Sequence, residues 1–180
     1  MLRICYLLSL LLCTCGPALQ AQALDAKINL GSLFTGGINV SADYSLNERL
    51  SVAAGLAYSS TGFSINDGEY RYRTARLIPE LRYYVAPMAG ADRFFVGGYS
   101  KLGRVTAIRT NSGSRSSGGR GVLGILTGYK WATRAGVVVE LNAGLGRAIV
   151  LSDDQVFDRA ISFVSATDLR LGILVGYRFQ

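Results

Sequence analysis

The stretch "DLRLGILVGYRF", Asp168–Phe179, decides the fold class. From Leu169 to Phe179 every second residue is large and apolar, while the intervening positions hold arginine, glycine and one leucine. A period of two residues is typical of a β-strand whose two faces meet different surroundings. The same alternation recurs in "INVSADY", "LSVAAGLAYS" and "VVVELNAGL", and helical spacing is rare. The sequence therefore predicts an all-β protein.

Alternating segments of this kind number eight along the chain. The predicted strands run at roughly 27–34, 37–45, 50–60, 72–86, 94–106, 120–131, 137–150 and 167–179. The first two are separated at Thr35–Gly37, because one strand over both would be about nineteen residues long, where a transmembrane strand needs roughly 9–11. Short connections follow the second, fourth and sixth strands, and long ones follow the third, fifth and seventh.

Two architectures fit such strands. A soluble β-sandwich turns the apolar faces inward, whereas an outer-membrane barrel turns them to lipid and has short turns at one end and longer loops at the other. Aromatic residues at one end of consecutive strands favour the barrel, because they would form its girdle at the level of the lipid headgroups. These residues are Tyr44, Tyr83, Tyr84, Phe94, Phe95, Tyr129, Trp131, Tyr177 and Phe179. The sequence thus predicts an eight-stranded, antiparallel, up-and-down transmembrane β-barrel.

The first 23 residues are typical of a secretory signal peptide. Arg3 provides a positive start, the apolar run that follows is too short to span a bilayer, and small residues allow cleavage after Ala21 or Ala23. A lipoprotein signal is the alternative, although "LCTC" lacks the small residue required before an acylated cysteine. We therefore expect the barrel to occupy residues 24–180. All three cysteines lie in the signal, so the exported chain has no thiol and no disulfide.

The charge of the chain points to its surroundings. The formal net charge is +7, and +6 remains without Arg3, the one charge of the signal. From Arg93 to Arg134 there are eight Lys or Arg and no Asp or Glu. A basic exported protein is expected next to a membrane surface or another polyanion. Nucleic acid is not expected as a partner, because export separates the chain from it.

Several motifs carry a resemblance to a known class of proteins. "PELRYYV", "VGGYSKLG", "LTGYKW", "VELNAGLG" and "VGYRFQ", in this order, resemble a family of small outer-membrane β-barrels of uncharacterised function, and more loosely the OmpA/OmpX-type barrels. The resemblance covers nearly the whole exported chain. It implies location in the cell outer membrane and no catalytic residues or cofactor. Tyr177 and Phe179 resemble the C-terminal signal read by the barrel assembly machinery, although Gln180 follows the usual last Phe.

Within "IPELRYYV", Ile78–Val85, charged residues interrupt a strand that is otherwise membrane-facing. In a barrel, Glu80 and Arg82 would face the lumen between Ile78 and Tyr84. The predicted lumen charges are Asp43, Glu80, Arg82, Lys101, Glu140 and Arg170, with Lys130 as a further candidate. An eight-stranded barrel is only wide enough for side chains to fill, and an unpaired buried charge costs several kcal/mol. We therefore expect these charges to form a paired network that plugs the lumen, with a proton or ion path as the alternative.

Pro79 conflicts with this assignment. It falls on the lipid face with Leu77 and Leu81, and it has no N–H for the ladder of a closed barrel. A bulge at Pro79 would accommodate it and would shift the assigned faces beyond it.

The composition argues against an enzyme. The chain has no histidine, which outer-membrane enzymes of similar type use as a general base. Acid–base chemistry near pH 7 would then need a carboxylate with a strongly shifted pKa. Asp153, Asp154 and Asp158 could hold a divalent cation, but we expect a solvated loop and no metal or cofactor.

Two functions of different class remain. The first is a structural or interaction barrel, expected as a monomer, whose outer loops contact lipopolysaccharide or an external partner. Four arginines in or near "NSGSRSSGGRG" could contact the phosphates of lipopolysaccharide: Arg104, Arg109, Arg115 and Arg120. The alternative is that these arginines are simply solvated by water. The second function is a narrow transporter for a small molecule or an ion. A hydrophobic conduit would need a continuous apolar lumen, and the sequence predicts a charged one.

Overall fold

The computed structural model describes residues 23–34, 36–65, 68–109, 115–150 and 167–179. Over these residues, eight antiparallel strands form a closed barrel in which each strand pairs with its neighbours in the chain and the first pairs with the last. The strands are β1 (Leu24–Asn29), β2 (Gly37–Ser45), β3 (Leu50–Ile65), β4 (Gly68–Tyr84), β5 (Arg93–Arg109), β6 (Arg115–Ala132), β7 (Val137–Val150) and β8 (Thr167–Phe179). The prediction of an all-β, eight-stranded, antiparallel barrel is confirmed.

A short helix, α1 (Leu30–Phe34), connects β1 to β2. The prediction of a strand over 27–34 is therefore wrong in its second half. Asn29 ends β1, because its side-chain oxygen accepts the N–H of Gly31 at 3.0 Å and its carbonyl accepts the hydroxyl of Ser32 at 2.6 Å. Such local bonds turn the backbone out of the sheet. In the described part of the chain, no helix has the length and apolar character needed to cross a membrane.

The two ends of the barrel differ. At the turn end lie Ala23, the last residues of β8 and the short turns after β2, β4 and β6. At the hairpin end, β3 and β4 pair as far as Ile65 and Gly68, and β5 and β6 as far as Ile108 and Arg115. The predicted long loops after β3 and β5 are therefore mostly extended hairpins, because "EYRYRTAR" keeps the strand alternation. The connection after β7, with Asp153, Asp154 and Asp158, lies outside the described residues.

The register is continuous through Pro79. This residue pairs with Ala54 of β3, and pairing with β5 keeps one register from Leu77↔Leu102 to Glu80↔Tyr99. The bulge considered at Pro79 is therefore not present, and the faces assigned beyond it are not shifted. Pro79 is exposed on the barrel exterior, and its missing N–H leaves only a local gap in the ladder with β5.

The two faces of the sheet have opposite character. Large apolar side chains cover the exterior on every strand, for example Leu56, Ile125 and Leu171. Aromatic residues ring the turn end of this exterior. Tyr84 and Phe95 do not belong to this ring, since both are fully buried inside the barrel. There they form the apolar part of the interior, with their ring centroids 5.4 Å apart.

Candidate functional site in the barrel lumen

The half of the lumen nearer the turn end, here called the lower half, holds a dense cluster of ion pairs. We call this cluster the charge plug. Its members are Asp25, Lys27, Asp43, Glu80, Arg82, Lys130, Glu140, Arg170 and Arg178. Every one of these residues is buried. Five cations face four carboxylates, so the charges nearly cancel. They come from six of the eight strands, and each lies on the inward face of its strand.

Asp43 is the centre of the charge plug. One of its oxygens, Oδ2, lies 3.1 Å from Lys27 Nζ, 3.1 Å from Arg82 Nη1 and 3.0 Å from Lys130 Nζ. Glu140 shares two of these cations, with Oε2 2.6 Å from Lys27 Nζ and 2.9 Å from Arg82 Nη1. Each buried charge thus contacts at least one partner of opposite sign, as a stable buried cluster requires.

Glu80 and Arg82 pair directly. Arg82 donates from Nη2 at 2.6 Å and from Nε at 2.9 Å to Glu80 Oε2. Because residues two apart on one strand face are separated by roughly 7 Å, the sequence predicts that these two side chains share partners across the lumen rather than pair tightly with each other. They do share such partners, since Glu80 Oε1 also lies 2.6 Å from Arg170 Nη2. The long arginine side chain folds back along its own strand, and its planar head reaches Glu80 and Glu140 together.

The β4–β5 turn closes the lumen at the turn end, and Arg178 holds it there. Arg178 donates to the carbonyls of Ala89 and Ala91, both at 2.9 Å, and to Asp25 at 2.7 and 3.0 Å. Asp92 accepts the N–H of Met88 at 2.7 Å and so shapes the turn. Ala91 has no exposed surface. This turn is therefore the floor of the barrel.

The upper half of the lumen remains open and is here called the basic vestibule. One cavity of about 190 Å³ and another of about 260 Å³ occupy it, and both are lined by Arg76 and Lys101. Arg120 lines the first cavity and Arg170 the second. Among the described residues, Asp168 is the one carboxylate that lines either cavity. The vestibule is thus a positively charged space above the charge plug.

Lys101 and Asp168 form the boundary between these two parts. Lys101 Nζ lies 2.7 and 2.9 Å from the two oxygens of Asp168, and the hydroxyl of Tyr99 donates to the same carboxylate at 2.6 Å. Lys101 was predicted as a lumen charge, and it lies in the lumen. Its ion-pair partner is Asp168.

The four arginines predicted to contact glycolipid do not lie together. Arg104 faces the exterior and donates to Ser117 at 3.0 Å. Arg120 faces the lumen. Arg109 ends β5 and Arg115 begins β6, and their side chains lie outside the described residues. Arg104 and Arg120 therefore lie on opposite faces of the barrel wall, and contact of these arginines with glycolipid stays a prediction.

The lumen charges that sequence reasoning missed among the described residues include Asp25, Lys27, Arg76, Asp168 and Arg178. A signal for each was present. In "LDAKIN" the charged residues alternate with Leu24, Ala26 and Ile28, as a lumen face would. The predicted first strand starts at residue 27, so it leaves out Leu24–Ala26 and with them the first half of this alternation. Within the described residues, no group of three or more potential metal ligands occurs.

Comparison with known proteins identifies the family. The family model described as "Protein of unknown function (DUF3575)" matches residues 7–164. The chain belongs to this family. A comparison with curated proteins found no match.

Solved structures with the same fold include the crystal structure of Ail, the attachment invasion locus protein of Yersinia pestis. It matches with a TM-score of 0.52 and 14% identity, over 89% of this chain and 100% of that one. Ail in complex with the heparin analogue sucrose octasulfate matches with a TM-score of 0.51 and 13% identity, over 88% of this chain and 94% of that one. At this identity the likeness shows a shared barrel fold.

Proposed function

We propose that the exported DUF3575 protein is a non-enzymatic barrel of the cell outer membrane. In this proposal the charge plug blocks its lumen, and its hairpin end faces outward and binds an external polyanion. The observation that supports this most is the combination of an apolar exterior with a lumen closed by paired charges. A closed barrel satisfies its backbone hydrogen bonds internally, which a protein in lipid requires. A soluble barrel would gain nothing from some thirty large hydrophobic side chains in water.

Export through a signal peptide belongs to the same proposal, although residues 1–22 lie outside the described part of the chain. The carbonyl of Ala23 accepts the N–H of Ser45 at 3.0 Å. Cleavage after Ala23 would remove this bond, whereas cleavage after Ala21 would keep it. We therefore favour Ala21 as the cleavage site, and N-terminal sequencing of the exported protein should read Gln22 first. A start at Leu24 would contradict this choice.

A polyanion partner is supported by arginines on the exterior of the hairpin end. Arg71, Arg73 and Arg104 are exposed and alternate with lumen residues, so they face away from the vestibule. In a membrane barrel with its hairpins outside, this position adjoins the phosphates of the outer-leaflet glycolipid. Arginine pairs with phosphate through charge-assisted hydrogen bonds. The structure of Ail, which shares the fold, in complex with the heparin analogue sucrose octasulfate supports a polyanion as the partner.

The experiment that tests the location is fractionation of cells that express the full chain. We expect the protein in the outer-membrane fraction, and we expect unheated and boiled samples to migrate differently in detergent gels because a closed barrel resists unfolding. Recovery of folded protein in the soluble periplasmic fraction would overturn the proposal. Transport through the lumen is the alternative function, and it would require a water-filled path through the charge plug.

A further inference from the structure

Arg76 and Arg120 lie at the same level of the lumen wall, with one glycine between them. Arg76 of β4 pairs with Gly103 of β5, and Gly103 pairs with Arg120 of β6. Neighbouring strands are about 4.8 Å apart, so the two arginine backbones are separated by roughly 10 Å. All three residues line the smaller cavity. Gly103 itself brings no side chain into the cavity between these two cationic groups.

Gly103 is also required by the packing of Arg76. A Cβ at position 103 would lie 2.8 Å from Arg76 Cγ and 2.7 Å from the carbonyl oxygen of Ala75. The stem of Arg76 therefore occupies the space beside the glycine. Tyr72 and Thr74, on the same strand as Arg76, bring hydroxyl groups to the same cavity. The cavity wall thus combines two guanidinium groups with neutral hydrogen-bond donors.

Among the described residues that line the vestibule, cations outnumber carboxylates. Its two cavities are lined by four cations and by Asp168, which Lys101 contacts through both oxygens, while Arg170 pairs with Glu80 of the charge plug. Arg76 forms no ion pair with any described residue. Arg170 has a buried Nη1 without a hydrogen-bond partner in the described structure. Like charges held close together repel each other, and an anion bound between them relieves this repulsion.

We infer that the basic vestibule is a binding site for a small oxyanion, with the phosphate group as its chemical class, held between Arg76 and Arg120 over Gly103. Guanidinium groups match the oxygens of phosphate by paired hydrogen bonds. The cavities are smaller than the roughly 300–1,000 Å³ of sites for drug-sized ligands. The site therefore accepts one phosphate-sized group, either free or at the end of a larger molecule. This inference extends the proposed polyanion partner by naming a separate site inside the barrel.

Titration of the purified full-length protein with inorganic phosphate tests this site. Maltoside micelles are suitable because the detergent carries no phosphate, and chloride keeps the ionic strength constant. The amide signal of Gly103 reports on the space between the arginines. We expect a saturable shift in the wild type, and a loss of affinity of at least about tenfold in the double variant Arg76→Gln, Arg120→Gln, since two charge-assisted bonds are removed.

A matched control separates this site from the general field of the protein. Arg49→Gln with Arg147→Gln removes the same charge from two exposed positions that line neither cavity. We expect this control to keep phosphate affinity within about twofold, because exposed, screened charges outside the vestibule contribute little. An equal loss in both double variants, or no saturable shift in the wild type, would overturn the inference.

The source of the phosphate is decided by a second arm in nanodiscs. If a glycolipid phosphate reaches the vestibule, the Gly103 signal should shift with phosphorylated glycolipid and return when the glycolipid is dephosphorylated. If the ligand is soluble, glycolipid should leave the signal unchanged. Free phosphate should shift the signal in both cases, as in micelles, and the absence of that shift contradicts the site. Because the micelle titration does not depend on cellular location, a negative result leaves the outer-membrane proposal standing.

Discussion

The charge plug should behave as one coupled unit, and Glu80 with Arg82 offers the sharpest test. Replacing Glu80 by Leu leaves Arg82 in contact with Asp43 and Glu140 but removes the carboxylate that Arg170 contacts. It also raises the net charge of the plug from about +1 to about +2, whereas Arg82→Leu lowers it to about zero. We expect each change to cost on the order of 3–5 kcal/mol, with Glu80→Leu at the upper end.

The double variant should cost less than the sum of the two single variants. The two side chains contact each other through two hydrogen bonds to one oxygen, so a coupling of about 0.5–3 kcal/mol is expected. Urea unfolding of the barrel in detergent, followed by the fluorescence of Trp131, the single tryptophan, measures this. With a slope of about 1–3 kcal/mol per molar urea, each single change should lower the midpoint by at least about 1 M.

The control for this cycle is Arg73→Leu, which removes an exposed arginine of the same strand. It should change stability by no more than about 0.5 kcal/mol, as surface substitutions usually do. Exact additivity of Glu80→Leu and Arg82→Leu would show that the two charges are independent. Single costs below about 1 kcal/mol would mean that water reaches the plug and relieves the stranded charges, which would refute the dry, paired arrangement.

Three further outcomes follow from the structure. In planar bilayers the pure protein should show no steady conductance, since the plug and the floor block the lumen; a large, stable single-channel current would instead establish the transporter function. Deleting Phe179 and Gln180 together should reduce membrane-inserted protein far more than deleting Gln180 alone, because Phe179 pairs with Leu24 at the seam; equal yields would contradict an assembly role. Replacing Arg71, Arg73 and Arg104 by Ser should weaken glycolipid co-purification at low salt, where charge pairing is least screened; unchanged retention would count against an exterior glycolipid site.

The strands could be predicted from the sequence because one face of each meets a different environment from the other. In β7 and β8 the alternation is uninterrupted, and both predicted ranges agree with the structure. The hairpin extensions of β3 to β6 were read as loops, because glycine and serine there mimic turn composition. The helix Leu30–Phe34 was missed because a single turn of helix leaves no periodicity to detect.

The interior was predictable in kind but not in detail. The alternation of inward-facing and outward-facing residues along each strand is enough to assign five charged residues to the lumen: Asp43, Glu80, Arg82, Glu140 and Arg170. Their partners depend on the stagger between strands that are distant in sequence, such as the contact of Lys27 with Glu140, and no local pattern encodes that stagger. The vestibule was missed for the same reason, since Arg76 and Arg120 come together only once the β4–β5 and β5–β6 registers are known.

The floor of the barrel imposes an order on assembly. Its turn is made by the middle of the chain, yet the residue that fastens it, Arg178, is contributed by the last strand. Asp25, which orients Arg178, comes from the first strand. The lumen therefore cannot be sealed while the chain is still emerging, and the seal forms in the same event that joins β1 to β8. A chain that ends before Leu174 loses every residue pair of the seam together with Arg178, so such an incomplete copy remains an open sheet with its charges in water.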